Sequence, residues 1–265
     1  MTNTPSQSKA LPLLASMAIL IGGWSGMLMA STANIDEAIN KAGKQRMITQ
    51  RLLKDYALVG MHLDLGDPAR DLTDFINQFD SILTDLEGFT DQAGIQASLA
   101  ETKKLWLPLK KTLQDTPDKA KAAQLQKDLD ELLAACQKNT RLLTELSGNQ
   151  RGEIVGLSGR QRMLSQRMAA LYMLKAWKLD QLDFEKKLAT SMAEFSSAHQ
   201  KLEASPLTTD EIHALLSRVK KSYAWFEMMG KSQSGRVIPT LINKSANNIL
   251  ADMDKATSLY AQAKN

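Results

Sequence analysis

From Asp36 onward the apolar positions recur at intervals of three and four residues, as in Phe75, Phe79, Ile82, Leu83 and Leu86, and again in Leu125, Leu129, Leu132 and Leu133. At 3.6 residues per turn that spacing gathers the apolar side chains on one helix face. Runs of alternating β-branched residues, which would predict strands, are absent. Turn signals punctuate the pattern at Gly66-Asp67-Pro68, between Gly88 and Gly94, at Asp115-Thr116-Pro117 and at Ser147-Gly148-Asn149. In the second half they fall near Leu179 to Leu182, from Ser205-Pro206 to Asp210, and between Gly230 and Pro239. Each half therefore divides into four helices, the first of them long. Thr116 before Pro117 and Thr209 before Glu211 are the expected helix starts.

The beginning of the chain differs in kind. Lys9 is the sole charged side chain before Asp36, and Leu11 to Ala30 is almost unbroken apolar sequence ending in Ala30-Ser31-Thr32-Ala33. A positive start, an apolar run and small residues predict a secretory signal over residues 1–33. The run is long for such a segment, so an uncleaved anchor is the alternative. Both place the remainder outside the cytoplasm, in the periplasm. No second run of spanning length follows.

The two halves repeat one another. "INKAGKQRMITQRLLKDYALVGM" (Ile39 to Met61) and "VGLSGRQRMLSQRMAALYMLKAW" (Val155 to Trp177) align at an offset of 116, which is 162 minus 46 for the arginines Arg46 and Arg162. The same offset pairs Gly43 with Gly159, Gln45 with Gln161, Gln50 with Gln166, Arg51 with Arg167 and Tyr56 with Tyr172. It persists through Phe79 and Phe195. After one inserted residue, "LLAACQKNTRLL" (Leu132 to Leu143) lies over "ILADMDKATSLY" (Ile249 to Tyr260). A repeat this long is a duplicated domain. The expected fold is all-α: two tandem antiparallel four-helix bundles, residues 34–148 and 149–265, packed as a pseudo-dimer through their first helices.

The first helix of each half carries two non-polar faces. Ile48, Leu52, Tyr56, Val59 and Leu63 form an ordinary core stripe at 100° per residue. Nearly opposite lie Ile39, Ala42, Gly43, Arg46, Gln50, Leu53 and Ala57, matched in the second half by Val155, Ser158, Gly159, Arg162, Gln166, Ala169 and Met173. A helix apolar on both sides is buried on both sides. Packing the two copies across a pseudo-twofold axis brings Arg46 and Arg162 together. Two unpaired guanidinium groups in a dry interface carry a penalty of several kcal/mol or more. A small anion between them removes it, because guanidinium forks match planar oxyanions. Gly43 and Gly159 permit the close approach, and Gln50 and Gln166 are candidate neutral donors.

The plainer alternative is that each arginine is exposed or pairs with a carboxylate, with Glu37 or Asp55 in reach of Arg46. Arg51 and Arg167 point about 140° away from their neighbours and are expected at the surface or in salt bridges. Tyr56 and Tyr172 belong to the core stripe. The methionines Met47, Met61, Met163, Met168 and Met173 are expected as core filler. Lys138 and Lys255, equivalent positions on the fourth helices, are expected on a solvated face.

The motif "INKAGKQRM…QRLL" and its copy "LSGRQRMLSQRM" resemble the signature of the PilJ/NarX-type sensor domain. This is the N-terminal periplasmic part of type IV pilus methyl-accepting transducers and nitrate/nitrite sensor kinases. The resemblance implies dimerising four-helix bundles in which the motif arginine of each partner holds one nitrate at the interface. Carried over, that role falls to Arg46 and Arg162, with Gly43 and Gly159 beside them. Lys44-Gln45 and Arg160-Gln161 precede the arginines, and not every member of the family binds nitrate.

Composition narrows the rest. A formal net charge of +4 without basic blocks, and no nucleic-acid motif, argues against DNA or RNA as a partner. The lone Cys136 and the scattered His62, His199 and His213 offer no metal site, and no cofactor is expected. No nucleophile–base pair or phosphate-binding loop suggests an enzyme. The expected function is a small-anion sensor, for nitrate or nitrite, that relays to a membrane sensor or chemoreceptor. The chain is expected as a monomeric pseudo-dimer or a homodimer. The alternative is a structural or interaction protein, accessory to pili or chemoreceptors, that binds no ligand.

Overall fold

Helix α1 (Ile35–Gly60) has almost no solvent face: Ile48, Leu52 and Tyr56 are buried on one side, and Ile39, Ala42, Gly43, Leu53 and Ala57 on the other. The computed structural model describes residues 1–2, 34–179, 183–231 and 238–263. Of the leader expected over residues 1–33, all but residues 1–2 lies outside the described residues, and the breaks expected after Leu179 and Gly230 lie partly outside.

The described residues form eight helices: α1, α2 (Pro68–Glu87), α3 (Ala93–Gln114), α4 (Lys119–Ser147), α5 (Gln150–Ala176), α6 (Phe184–Glu203), α7 (Asp210–Lys231) and α8 (Pro239–Gln262). No strand is found among them, so the fold is all-α. None of the described helices is long and apolar enough to cross a membrane.

Local chemistry sets the helix ends. The Asn34 and Asn149 side chains accept hydrogen bonds from the amides of Glu37 and Gly152, each at 2.8 Å, capping the two equivalent helices α1 and α5 alike. Gly148, at φ 58°, supplies the left-handed residue that ends α4. The cap of α4 lies two residues beyond the expected Thr116. Asp118 is the cap, with its carboxylate accepting from Ala120 N at 2.8 Å. Thr209 caps α7 as expected, through Ile212 N at 3.4 Å.

Packing repeats between the halves. α1 lies against α2 and α4, α2 against α3, and α3 against α4; α5, α6, α7 and α8 make the same cycle. The most extensive contact of all joins α1 to α5, and the described residues from Asn34 onward form one compact unit. The duplicated core is visible in its aromatic pairs. Phe79 packs on Trp106 with ring centroids 4.2 Å apart, and the equivalent Phe195 stacks on Tyr223 at 4.4 Å. Tyr56 and Tyr172 pack in the core and also accept the amides of Asp118 and Ile238, both at 2.8 Å, at the entry to the fourth helices. Met47, Met163, Met168 and Met173 are buried core residues, and Met61 packs at its edge.

Candidate functional site

The site lies where α1 and α5 cross. A Cβ built on Gly159 would stand 3.6 Å from the Gly43 Cα, so the two backbones pass almost in contact across the glycine pair. The same Cβ would lie 3.1 Å from Nη2 of both Arg46 and Arg162, and one on Gly43 would lie 3.2 Å from both. The two guanidinium groups thus converge over the glycine pair. Both are buried, at 2% and 1% exposure.

Each arginine reaches across to the opposite first helix and back to the fourth helix of its own half. Arg46 Nη2 donates to the Gly156 carbonyl at 2.9 Å, and Nη1 to Gln137 Oε1 at 2.8 Å. Arg162 Nη2 donates to the Asn40 carbonyl at 3.2 Å and to Asn40 Oδ1 at 2.8 Å. Its Nη1 binds Asp254 Oδ1 at 2.6 Å. Asn40 and Gly156 are equivalent at the offset of 116, and Gln137 and Asp254 are equivalent after the one-residue insertion. The arrangement is twofold except for charge: Arg162 has a carboxylate partner and Arg46 has none among the described residues. Glu37 and Asp55, the carboxylates expected in reach of Arg46, do not pair with it.

Burial lowers the Arg46 pKa to about 9, and the nearby cations Arg162 and Arg160 push in the same direction. It still carries its charge at neutral pH. The Nε atoms of both arginines are buried without a hydrogen-bond partner. Arg46 also lines a cavity of about 300 Å³ beside Gln137, Gly156 and Arg160. Two adjacent buried cations, one of them with a carboxylate partner and the other without, and two unused Nε donors make an electrostatically incomplete site.

The glutamines fall elsewhere. Gln50 donates to Thr49 Oγ1 at 3.2 Å and accepts from Arg167 at 3.4 Å, while Gln166 donates to the Ala246 carbonyl at 3.0 Å. Neither bonds to Arg46 or Arg162. Gln45 and Gln161 tie the first helix to the second, through the carbonyls of Phe79 at 3.4 Å and Phe195 at 2.8 Å. Lys138 and Lys255 are exposed, the latter paired with Glu211 at 2.8 Å.

Arg51 and Arg167 make the expected salt bridges, but Arg51 is buried rather than superficial. It binds Asp55 Oδ2 at 2.7 Å, Asn247 Oδ1 at 2.6 Å and Asp71, and its guanidinium lies 5.1 Å from the Phe75 ring centroid. Arg167 binds Asp130 Oδ1 at 2.7 Å, the position equivalent to Asn247. Beside Arg51, the fully buried Lys54 donates to Asn243 at 2.9 Å and to Asn247 at 3.0 Å, with Asp55 Oδ1 3.6 Å away. Burial lowers the Lys54 pKa to about 8 and raises that of Asp55. The second half has Ala170 and Leu171 at these positions. Nothing in the local sequence marks this cluster, because a Lys-Asp dipeptide on a helix ordinarily faces water.

The family of type IV pili methyl-accepting chemotaxis transducer N-terminal domains (PilJ) matches residues 27–135 and 146–226. The chain belongs to this family. One matched segment contains α1 with Arg46, the other α5 with Arg162, so each carries one copy of the duplicated helix. No curated protein and no solved structure matches the chain. PilJ is a sensory family of chemoreceptors and not an enzyme family, and the chain is a sensor-type module of that class.

Proposed function

We propose that this PilJ chain is an exported sensor whose two repeats, residues 34–148 and 149–265, form an internal dimer. Between Arg46 and Arg162 that dimer holds one small oxyanion, nitrate or nitrite. The observation that carries the proposal is the uncompensated charge of Arg46, a buried cation facing a second buried cation with no carboxylate of its own among the described residues. Leaving such a charge unpaired costs several kcal/mol, and a bound anion offsets that cost. Arg46, Arg162, Gly43 and Gly159 are the residues assigned to it. Gln50 and Gln166 are proposed only as auxiliary donors, since both are engaged elsewhere. The leader pattern before Asn34 supports export to the periplasm.

A signalling route follows from the same geometry. Each guanidinium now bonds to a backbone carbonyl of the other first helix, Arg46 to Gly156 and Arg162 to Asn40. An anion competes for those donors, so binding exchanges cross-helix bonds for bonds to ligand and biases the α1–α5 contact between two arrangements. A membrane chemoreceptor or sensor packed against the outer helices that cover α1 and α5 would sense the change.

Calorimetry of the full chain with nitrate and nitrite tests the proposal. One anion per chain is expected, with binding abolished in Arg46→Ala; no heat with either anion sinks it. The reading as a ligand-free interaction protein draws on a different observation. All four terminal guanidinium nitrogens already have protein acceptors, and Arg162 has Asp254. It predicts that Arg46→Ala folds normally and that anions affect neither protein.

A further inference from the structure

A cleft of about 480 Å³ opens between α4 of the first half and α5 and α6 of the second. Its floor is apolar, built from Leu133, Met163 and Leu164. Its walls are charged: Arg160, Arg167, Lys186 and Lys187 stand against Asp130, Asp183 and Glu194, an excess of one positive charge. Arg160 pairs with Glu194 at 2.7 Å, Arg167 with Asp130 at 2.7 Å and Lys187 with Asp183 at 3.2 Å. Lys186 is exposed and makes no ion pair among the described residues.

The pseudo-symmetric flank carries different side chains at the same place. The offset of 116 puts Phe75 at Ser191 and Asp71 at Lys187. On the first-half flank Phe75 covers the Arg51 guanidinium and Asp71 binds it. On the second-half flank the small Ser191 leaves the volume of that ring open, and the cation Lys187 replaces the carboxylate. On one flank of the duplicated fold a ring and a carboxylate therefore cover the arginine, and the other flank is an open, positively charged cleft over an apolar floor.

We infer that this cleft is a second binding site, for a small organic acid consisting of a carboxylate on a short apolar body. Its volume lies within the range of small-molecule pockets, about 300–1,000 Å³. The carboxylate meets Lys186, with Lys187 and Arg160 alongside, and the apolar body covers Leu133, Met163 and Leu164. The site is distinct from the arginine pair but touches it. Gln137 lines the cleft and also holds Arg46 Nη1, and Arg160 lines both cavities. Occupancy of the cleft thereby bears on the charge balance around Arg46.

The test uses the full chain with ¹³C-methyl-labelled methionine, and follows the Met163 methyl resonance by NMR. The probes are benzoate and hexanoate, with benzyl alcohol as the uncharged counterpart. A saturable Met163 shift is expected with at least one of the two carboxylates, and a much weaker one with the alcohol. In Lys186→Gln/Lys187→Gln, both solvent-accessible positions, affinity should fall by about tenfold or more, the scale of a lost charge-assisted contact. Ser191→Phe, which copies Phe75 of the first half, should abolish the shift. The inference is overturned if neither carboxylate moves Met163, if the alcohol acts as well as the acids, or if the double lysine variant binds as tightly as the original chain.

Discussion

Arg46 and Arg162 occupy equivalent positions and meet over the same glycine pair, yet Arg162 binds the Asp254 carboxylate and Arg46 the neutral Gln137. Gln137→Asp would give Arg46 the partner that Arg162 already has. In buffer free of small oxyanions this variant is expected to be more stable than the original chain by about 1 kcal/mol, the net scale of a charge-assisted hydrogen bond at a partly exposed site. Asp254→Gln is expected to lower stability by a similar amount. Urea midpoints at constant slope measure both.

Gly43 and Gly60 predict opposite outcomes for the same substitution. In Gly43→Ala the new methyl lies 3.2 Å from two guanidinium nitrogens, the mobile ends of long side chains, and can displace them. Helix propensity favours alanine by about 0.5–1 kcal/mol, so stability should change little while the arginines lose their register. In Gly60→Ala the methyl falls 2.3 Å from the Trp177 ring, wedged between the repeats. Overpacking there should cost about 1–3 kcal/mol. Thermal unfolding of the two variants side by side checks the contrast.

Lys54 and Asp55 form a buried pair that the second half does without. Removing Asp55 strands the buried Lys54 charge, at a cost of about 3–5 kcal/mol, whereas removing Lys54 costs less because Asp55 keeps its salt bridge to Arg51. The double change Lys54→Ala/Asp55→Leu copies Ala170 and Leu171, and should cost well under the sum of the two single changes. Chemical unfolding of the three variants closes the cycle.

The same lysine sets a pH dependence. In the folded chain Lys54 loses its proton at about 8, against 10.5 for an ordinary lysine. Between those values the unfolded chain binds more protons, so this group makes stability rise with pH through that window; below about 8 its contribution is flat. The difference in stability between the original chain and Lys54→Met, followed from neutral pH up to the ordinary lysine value, should shift in favour of the original chain as pH rises.

Much of this was legible in the residues. The two apolar faces of α1 announced a helix buried on both sides, and duplication fixed which arginines would meet. The charge around them was not legible. Gln137 and Asp254 come to the arginines only through the packing of α4 and α8, which no pattern in α1 reports. Arg51, expected at the surface or in a salt bridge, is buried with Lys54 and Asp55 because helical spacing cannot tell a charged stripe facing water from one facing Asn243 and Asn247 on α8. The cap at Asp118 rather than Thr116 has a short-range cause: Pro117 marks a turn, and the next carboxylate is the better acceptor for the first free amide.

An anion held between Arg46 and Arg162 has its sharpest test in the unfolding midpoints of the original chain and of Gln137→Asp, in nitrate against chloride at matched ionic strength. A ligand that binds only the folded state raises stability in proportion to the logarithm of its concentration once binding saturates. Nitrate is expected to raise the midpoint of the original chain above that in chloride, and the rise should shrink sharply once the introduced carboxylate neutralises Arg46 in the variant. Equal midpoints in nitrate and chloride, or an undiminished rise in Gln137→Asp, would contradict an anion site at this arginine pair.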